Sequence, residues 1–125
     1  MYTATFTFAA RVFDDEFHTL DQTIARAAKA IPGYLGEESW ENPVTGRVSN
    51  VYYWETLEAL EALMRHPVHV AAQRQQARWL DGYQVIVAQV IGCHGDGKLE
   101  HPLADRPLPL RAPAVCPSSE PPIPR

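Results

Sequence analysis

The sequence predicts an α+β domain whose elements run β-α-β-β-α-β around an antiparallel sheet. Three observations carry this. Residues 2–11 alternate with the period of a strand, and residues 17–31 repeat with the period of a helix. Three further strand-like runs follow, at 34–41, 48–54 and 83–91, the last two separated by a second helical pattern.

In the first strand Tyr2, Ala4, Phe6, Phe8 and Ala10 share one face, and Thr3, Thr5, Thr7 and Ala9 the other. The first helix places Phe17, Leu20, Ile24, Ala27, Ala28 and Ile31 on one stripe. Its start has two candidates, Asp14 or Asp15 as N-cap, or the capping box Thr19-Leu20-Asp21-Gln22. Ile31-Pro32-Gly33 ends it. Asn42-Pro43-Val44-Thr45-Gly46 reads as the hairpin loop between the second and third strands.

Thr56 caps a short helix with Leu57, Leu60, Leu63 and Met64 inward, and Glu58 and Glu61 stand near its N-terminal end, where the helix dipole favours them. His66-Pro67 breaks that helix, and Pro67 suits the first turn of the next. This one is predicted to run to about Leu80, with Asp81-Gly82 as its stop. The order β-α-β-β-α-β is the ferredoxin-like arrangement, with helices on one sheet face. The third and fourth strands lack a polar face. Something must cover the second side, and a second copy of the same sheet is the simplest cover.

The chain has 125 residues, enough for one core. Hydrophobic residues make up 46% and charged residues 21%, values of an ordinary globular protein. A net charge of -4 argues against a phosphate-backbone partner, so no nucleic acid is expected. No apolar run approaches the roughly 20 residues that span a bilayer. The N-terminal residues lack a basic segment followed by an apolar core, so a cytoplasmic protein without a membrane partner is expected. Cys93 and Cys116 have no metal or redox spacing and are expected to be free thiols.

Composition changes near residue 92. Of 11 prolines, Pro102, Pro107, Pro109, Pro113, Pro117, Pro121, Pro122 and Pro124 all follow it. The expected division is therefore a domain over 1–92 and an extended arm over 93–125 that packs across its own domain or on a partner. Leu99, Leu103, Leu108, Leu110, Val115 and Ile123 are its candidate anchors.

Several segments carry a family resemblance. They are Pro32-Gly33-Tyr34-Leu35-Gly36, the run from Val51-Tyr52-Tyr53-Trp54 through Leu60, His66-Pro67-Val68-His69-Val70-Ala71-Ala72-Gln73, and Trp79-Leu80-Asp81-Gly82-Tyr83. Together they resemble the antibiotic biosynthesis monooxygenase family over about residues 2–91. The resemblance implies a dimeric α/β barrel in which two sheets face each other. It also implies a small monooxygenase that needs no cofactor and acts with O₂ on an aromatic or quinonoid molecule.

Asn50, Tyr52 and Trp54 alternate on the third strand and so share a face. An amide, a phenol and an indole suit a flat phenolic or quinonoid ligand. In oxygenases resembling this sequence, an Asn and a Trp spaced four apart on this strand serve the chemistry, which matches Asn50 and Trp54. A Tyr of those enzymes falls near Leu60 here. His69 is the candidate base from the helix side. The expected site is thus Trp54, Asn50 and His69 as catalytic residues, with Tyr52, His66 and Leu60 as substrate contacts and no metal. Glu38, sharing a face with Trp40, is expected to rim the cavity.

Two alternatives remain open: a non-catalytic dimer that binds a small ligand, and a haem-binding or haem-degrading protein. Haem-degrading relatives of such folds carry the strand Trp, matched by Trp54. Their strand-one Asn falls at Ala9 or Ala10 and their ligand His at Gln73 or Gln75, which does not match. Arg65, Arg74 and Arg78 form a basic stripe, read as a solvated face.

Overall fold

The computed structural model describes residues 1–10 and 14–109. Four strands, β1 (Tyr2–Ala10), β2 (Tyr34–Glu41), β3 (Val48–Trp54) and β4 (Leu80–Gln89), form one antiparallel sheet in the order β2-β3-β1-β4. Three helices, α1 (Asp15–Lys29), α2 (Leu57–Arg65) and α3 (Pro67–Gln75), join them. The predicted ferredoxin-like β-α-β-β-α-β fold is observed.

Strand parity sets the two faces. In β1 and β3, Tyr2 lies opposite Trp54, Ala4 opposite Tyr52, Phe6 opposite Asn50 and Phe8 opposite Val48. This face meets the helices. Thr3, Thr5 and Thr7 with Tyr53, Val51 and Ser49 form the other, open face. The core has two centres. Trp54 packs with Ala28, Ala59, Leu60 and Leu63, and Phe8 packs with Trp79 and Leu80.

Asp14, the first of the two candidate starts, caps α1: its Oδ1 accepts from the Phe17 N–H at 2.8 Å. The same oxygen accepts from Trp79 Nε1 at 3.1 Å, tying the helix start to the residue that precedes β4. Thr56 caps α2 through the Ala59 N–H at 3.1 Å.

The predicted end of the last helix is corrected. α3 stops at Gln75, a 3-10 turn covers Gln76–Arg78, and β4 already begins at Leu80. Asp81 and Gly82 therefore lie inside the strand. The tighter turn brings Trp79 onto Phe17, with ring centroids 5.8 Å apart, and seats Leu80 beside Ala10 across an irregularity in the β1–β4 register. Burial of Trp79 (2% exposed) outweighs another helical turn of polar residues.

The helices leave β4 bare. Tyr83 (52%), Ile86 (56%) and Val87 (46%) are exposed, although Tyr83 and Val87 point to the helix side and Ile86 to the open side. On the open face the segment after β4 folds back over β2 and β3. Cys93 and Leu108 exchange backbone hydrogen bonds of 2.8 and 2.9 Å, and Leu103 is buried. His101 Nε2 lies 3.1 Å from Glu38 Oε1, and Arg106 pairs with Glu55 at 3.4 Å. Leu99 is exposed and anchors nothing. Leu110, Val115, Cys116 and Ile123 lie outside the described residues; Cys93 is a free thiol.

Two expectations change as a result. Part of the second side, for which a second copy was the expected cover, is covered by this return segment instead, which packs on Tyr53. Glu38 faces away from the helices: it accepts from the Tyr53 hydroxyl at 2.5 Å on the open face. A register irregularity between Tyr34 and Gly36 displaces the simple alternation, so Glu37, not Glu38, lies opposite Tyr52 on the helix side.

Candidate functional site

A cavity of about 470 Å³ lies between sheet and helices, lined by residues of both core centres. Asn50, Tyr52, Trp54, Leu60 and His69 all lie on its wall. His66 does not. Its Nδ1 accepts from the Val68 N–H at 3.1 Å and caps α3, so this side chain is spent on the helix start.

Trp54 is fully buried, and its indole N–H has no hydrogen-bond partner. Buried polar groups are nearly always paired, because an unpaired one costs on the order of 1–3 kcal/mol. Tyr52 stacks beside Trp54 with ring planes 15° apart and centroids at 6.4 Å. Tyr34 meets both rings edge-on, at 6.5 and 5.7 Å. Tyr52 and Trp54, near-parallel on the cavity wall, offer faces of the kind that take a planar ligand, and Tyr34 braces them edge-on from outside the lining.

Asn50 Oδ1 accepts from Ser39 Oγ at 2.6 Å, a bond across β2 and β3 that fixes the amide and leaves its N–H₂ group to other partners. His69 Nδ1 is buried without a partner. Burial holds this imidazole below its ordinary range; the Met64 backbone works against that shift and the charge of His66 adds to it. His69 is therefore neutral near pH 7 and can act as donor or acceptor.

Glu37 and Asp21 are site residues that strand parity and helix periodicity missed. Asp21 is the acidic residue on the cavity wall among the described residues. Burial raises its carboxyl above the usual range, the nearby Glu37 charge raises it further, and His18 lowers it. Burial, and then the Glu37 charge, also push the Tyr34 phenol up to about 12 and Tyr52 higher still. The capping-box pattern Thr19 to Gln22 hid Asp21, and the alternation Glu38, Trp40 hid Glu37.

The cavity thus combines apolar walls, aromatic faces and a few unengaged polar atoms. No group of three or more potential metal ligands occurs among the described residues. No helix there is long and apolar enough to cross a membrane.

Comparison places this architecture. Its structural neighbours are antibiotic biosynthesis monooxygenase and Dabb-family proteins. SnoaB, a cofactor-independent oxygenase from Streptomyces nogalater, superposes with a TM-score of 0.60 at 12% identity, covering 71% of this chain and 91% of its own. A Deinococcus radiodurans structure assigned to the antibiotic biosynthesis monooxygenases gives 0.59 at 18% identity, covering 72% and 92%. By sequence, the uncharacterised protein YqjZ of Bacillus subtilis is 34% identical over 73 residues, which span 58% of this chain and 62% of that relative. No family model matches the sequence. The resemblance read from the Pro32–Gly36, Val51–Leu60 and His66–Gln73 segments holds for the fold.

Proposed function

We propose that the protein is a small cofactor-independent monooxygenase acting with O₂ on an aromatic or quinonoid substrate. The observation that carries this reading is the unpartnered indole N–H of fully buried Trp54 on the wall of an aromatic cavity. A donor left unpaired inside apolar surroundings is matched by an acceptor that arrives with the ligand. The substrate ring lies along Tyr52 and Trp54. The phenol loses a proton, and its electron-rich anion gives an electron to O₂. Trp54 and Asn50 stabilise the oxygen on which charge gathers, and His69 borders the same space. Leu60 closes the pocket where related enzymes carry a Tyr, so orientation here rests on stacking.

The same reading assembles the chain as a homodimer and keeps it in the cytoplasm. Uncovered Tyr83, Ile86 and Val87 support the dimer, since such apolar surface marks an interaction site. A monomeric mass in solution at micromolar concentration rejects that part.

Measuring O₂ consumption with anthrone-type phenols tests the activity. Turnover that falls in Trp54→Phe and falls further in Asn50→Ala supports it. The second reading, a non-catalytic ligand-binding dimer, is favoured by Leu60, which puts an inert side chain at the position of the Tyr. It predicts ligand binding with no O₂ uptake.

A further inference from the structure

One carboxyl stands on the cavity wall, and the reading above does not use it. Asp21 reaches the wall from α1, at the solvent-facing mouth. Tyr52 of β3 shares that wall, and the charges of Glu37 on β2 and of His18, one turn earlier on α1, act on Asp21. Burial, and then the nearby Glu37 charge, give the Asp21 carboxylate a higher proton affinity than a lone carboxylate has. A lone carboxyl is no site. Here an independent feature points to an occupant: the buried, unpartnered Nε1 of Trp54 on the same wall, which calls for a ligand oxygen.

We propose that Asp21 is the proton-accepting residue of this cavity, taking the hydroxyl proton of a phenolic ligand that lies along Tyr52 and Trp54. The proposal rests on the ligand class given above and adds the base that class needs. In the step, the ligand O–H bond breaks and the proton bonds to an Asp21 carboxylate oxygen. The electron pair stays on the ligand as phenolate. No oxidant takes part. The chemistry is favourable here because Asp21 becomes neutral as the ligand becomes charged, so no second anion is left at that wall. A carboxylate with raised proton affinity is also a better base than an ordinary surface carboxylate.

Alizarin is a suitable probe, because ionisation of its hydroxyl changes its visible spectrum; anthraquinone, which has no hydroxyl, controls for an intact cavity. At a pH below the free dye's own ionisation, the wild-type protein is expected to bind alizarin in its ionised form. Asp21→Asn is expected to bind anthraquinone equally well but to hold alizarin neutral, and Asp21→Glu to restore part of the ionised band. An unchanged ionised band in Asp21→Asn, or no alizarin binding by the wild type, overturns the proposal. O₂ uptake then separates the two claims. If the spectral result holds while wild type consumes no O₂ with any phenol, the monooxygenase reading falls and the proton acceptor stands. If Asp21→Asn turns over phenols at the wild-type rate instead of about 100-fold slower, the acceptor falls and the reading stands.

Discussion

Tyr53 and His101 meet edge to face on the open side of the sheet, ring centroids 5.1 Å apart and planes at 74°. The pair joins the last strand-forming half of the domain to the segment that returns after β4. Glu38 completes it, accepting from the Tyr53 hydroxyl and standing 3.1 Å from His101 Nε2. His101 also accepts from the Leu103 N–H through Nδ1, which fixes the turn that buries Leu103.

Removing that contact should loosen the return segment before it affects the sheet. His101→Ala is expected to cost about 1 kcal/mol, and Leu103→Ala about 2–3 kcal/mol. Hydrogen exchange should show residues 93–109 losing protection in both variants while β1 and β3 keep theirs. Equal loss across the domain would contradict an independently docked segment.

Gly36 should tolerate no side chain. Its φ is +147°, and an added Cβ would stand 2.6 Å from the Cβ of Pro102. Gly36→Ala is expected to lower the melting temperature and displace the same segment, with a loss of at least about 1 kcal/mol. A pairing of Gly36→Ala with Pro102→Gly should recover part of the loss, since the steric share of the cost disappears while the backbone share remains.

Trp54 separates two roles by variant. Trp54→Ala is expected to destabilise by about 3–5 kcal/mol, as emptying a fully buried indole site requires. Trp54→Phe keeps the ring and drops the N–H. Chemical denaturation should find it close to wild type, while phenol turnover falls. Full activity in Trp54→Phe would leave Trp54 a core residue only.

Acidification should weaken the domain through His69. Its folded-state pKa lies below the reference value of 6.5. The unfolded chain then binds the proton first, so the contribution is complete above about 6.5 and is lost as pH falls toward the folded value. Melting temperatures taken downward through that range should drop more for wild type than for His69→Gln.

Asp21 has the opposite sign. A carboxyl raised above 3.8 in the folded state contributes stability that is present below 3.8 and is lost as pH rises through its folded pKa. Asp21→Asn should therefore melt higher than wild type at neutral pH, and the gap should close in acid. A site residue whose removal stabilises the fold is a familiar cost of function.

Much of the fold was legible because strand period and cap chemistry are local. β2 and β3 have the bounds that alternation and the Asn42–Gly46 loop predicted, and Thr56 and Pro67 mark their helices as read. The end of α3 was not legible, since helix periodicity continues through Gln76 and Arg78 and only the distant Phe17 and Asp14 draw Trp79 inward. The cavity wall of Asn50, Tyr52 and Trp54 follows from parity alone. Asp21 and Glu37 do not. One sits in a plausible cap motif, and the other is turned toward the helices by an irregularity that no single-strand pattern shows. His66 was expected to touch substrate, yet a histidine before proline is equally well placed to cap.

β1 is the first strand made and the centre of the finished sheet, with β3 on one side and β4 on the other. Tyr2 lies opposite both Trp54 and Gln89, so the N-terminal residue of the sheet is completed only by nearly the last. Its hydrogen-bonding edges stay unsatisfied during synthesis until most of the chain has emerged. Contacts this far apart in sequence make for slow folding and a long exposure of the Phe6 and Phe8 strand to other chains. A nascent chain stalled before β4 would present the half-built sheet with a bare central edge, and its aggregation, not its stability once complete, would set how much protein a cell obtains.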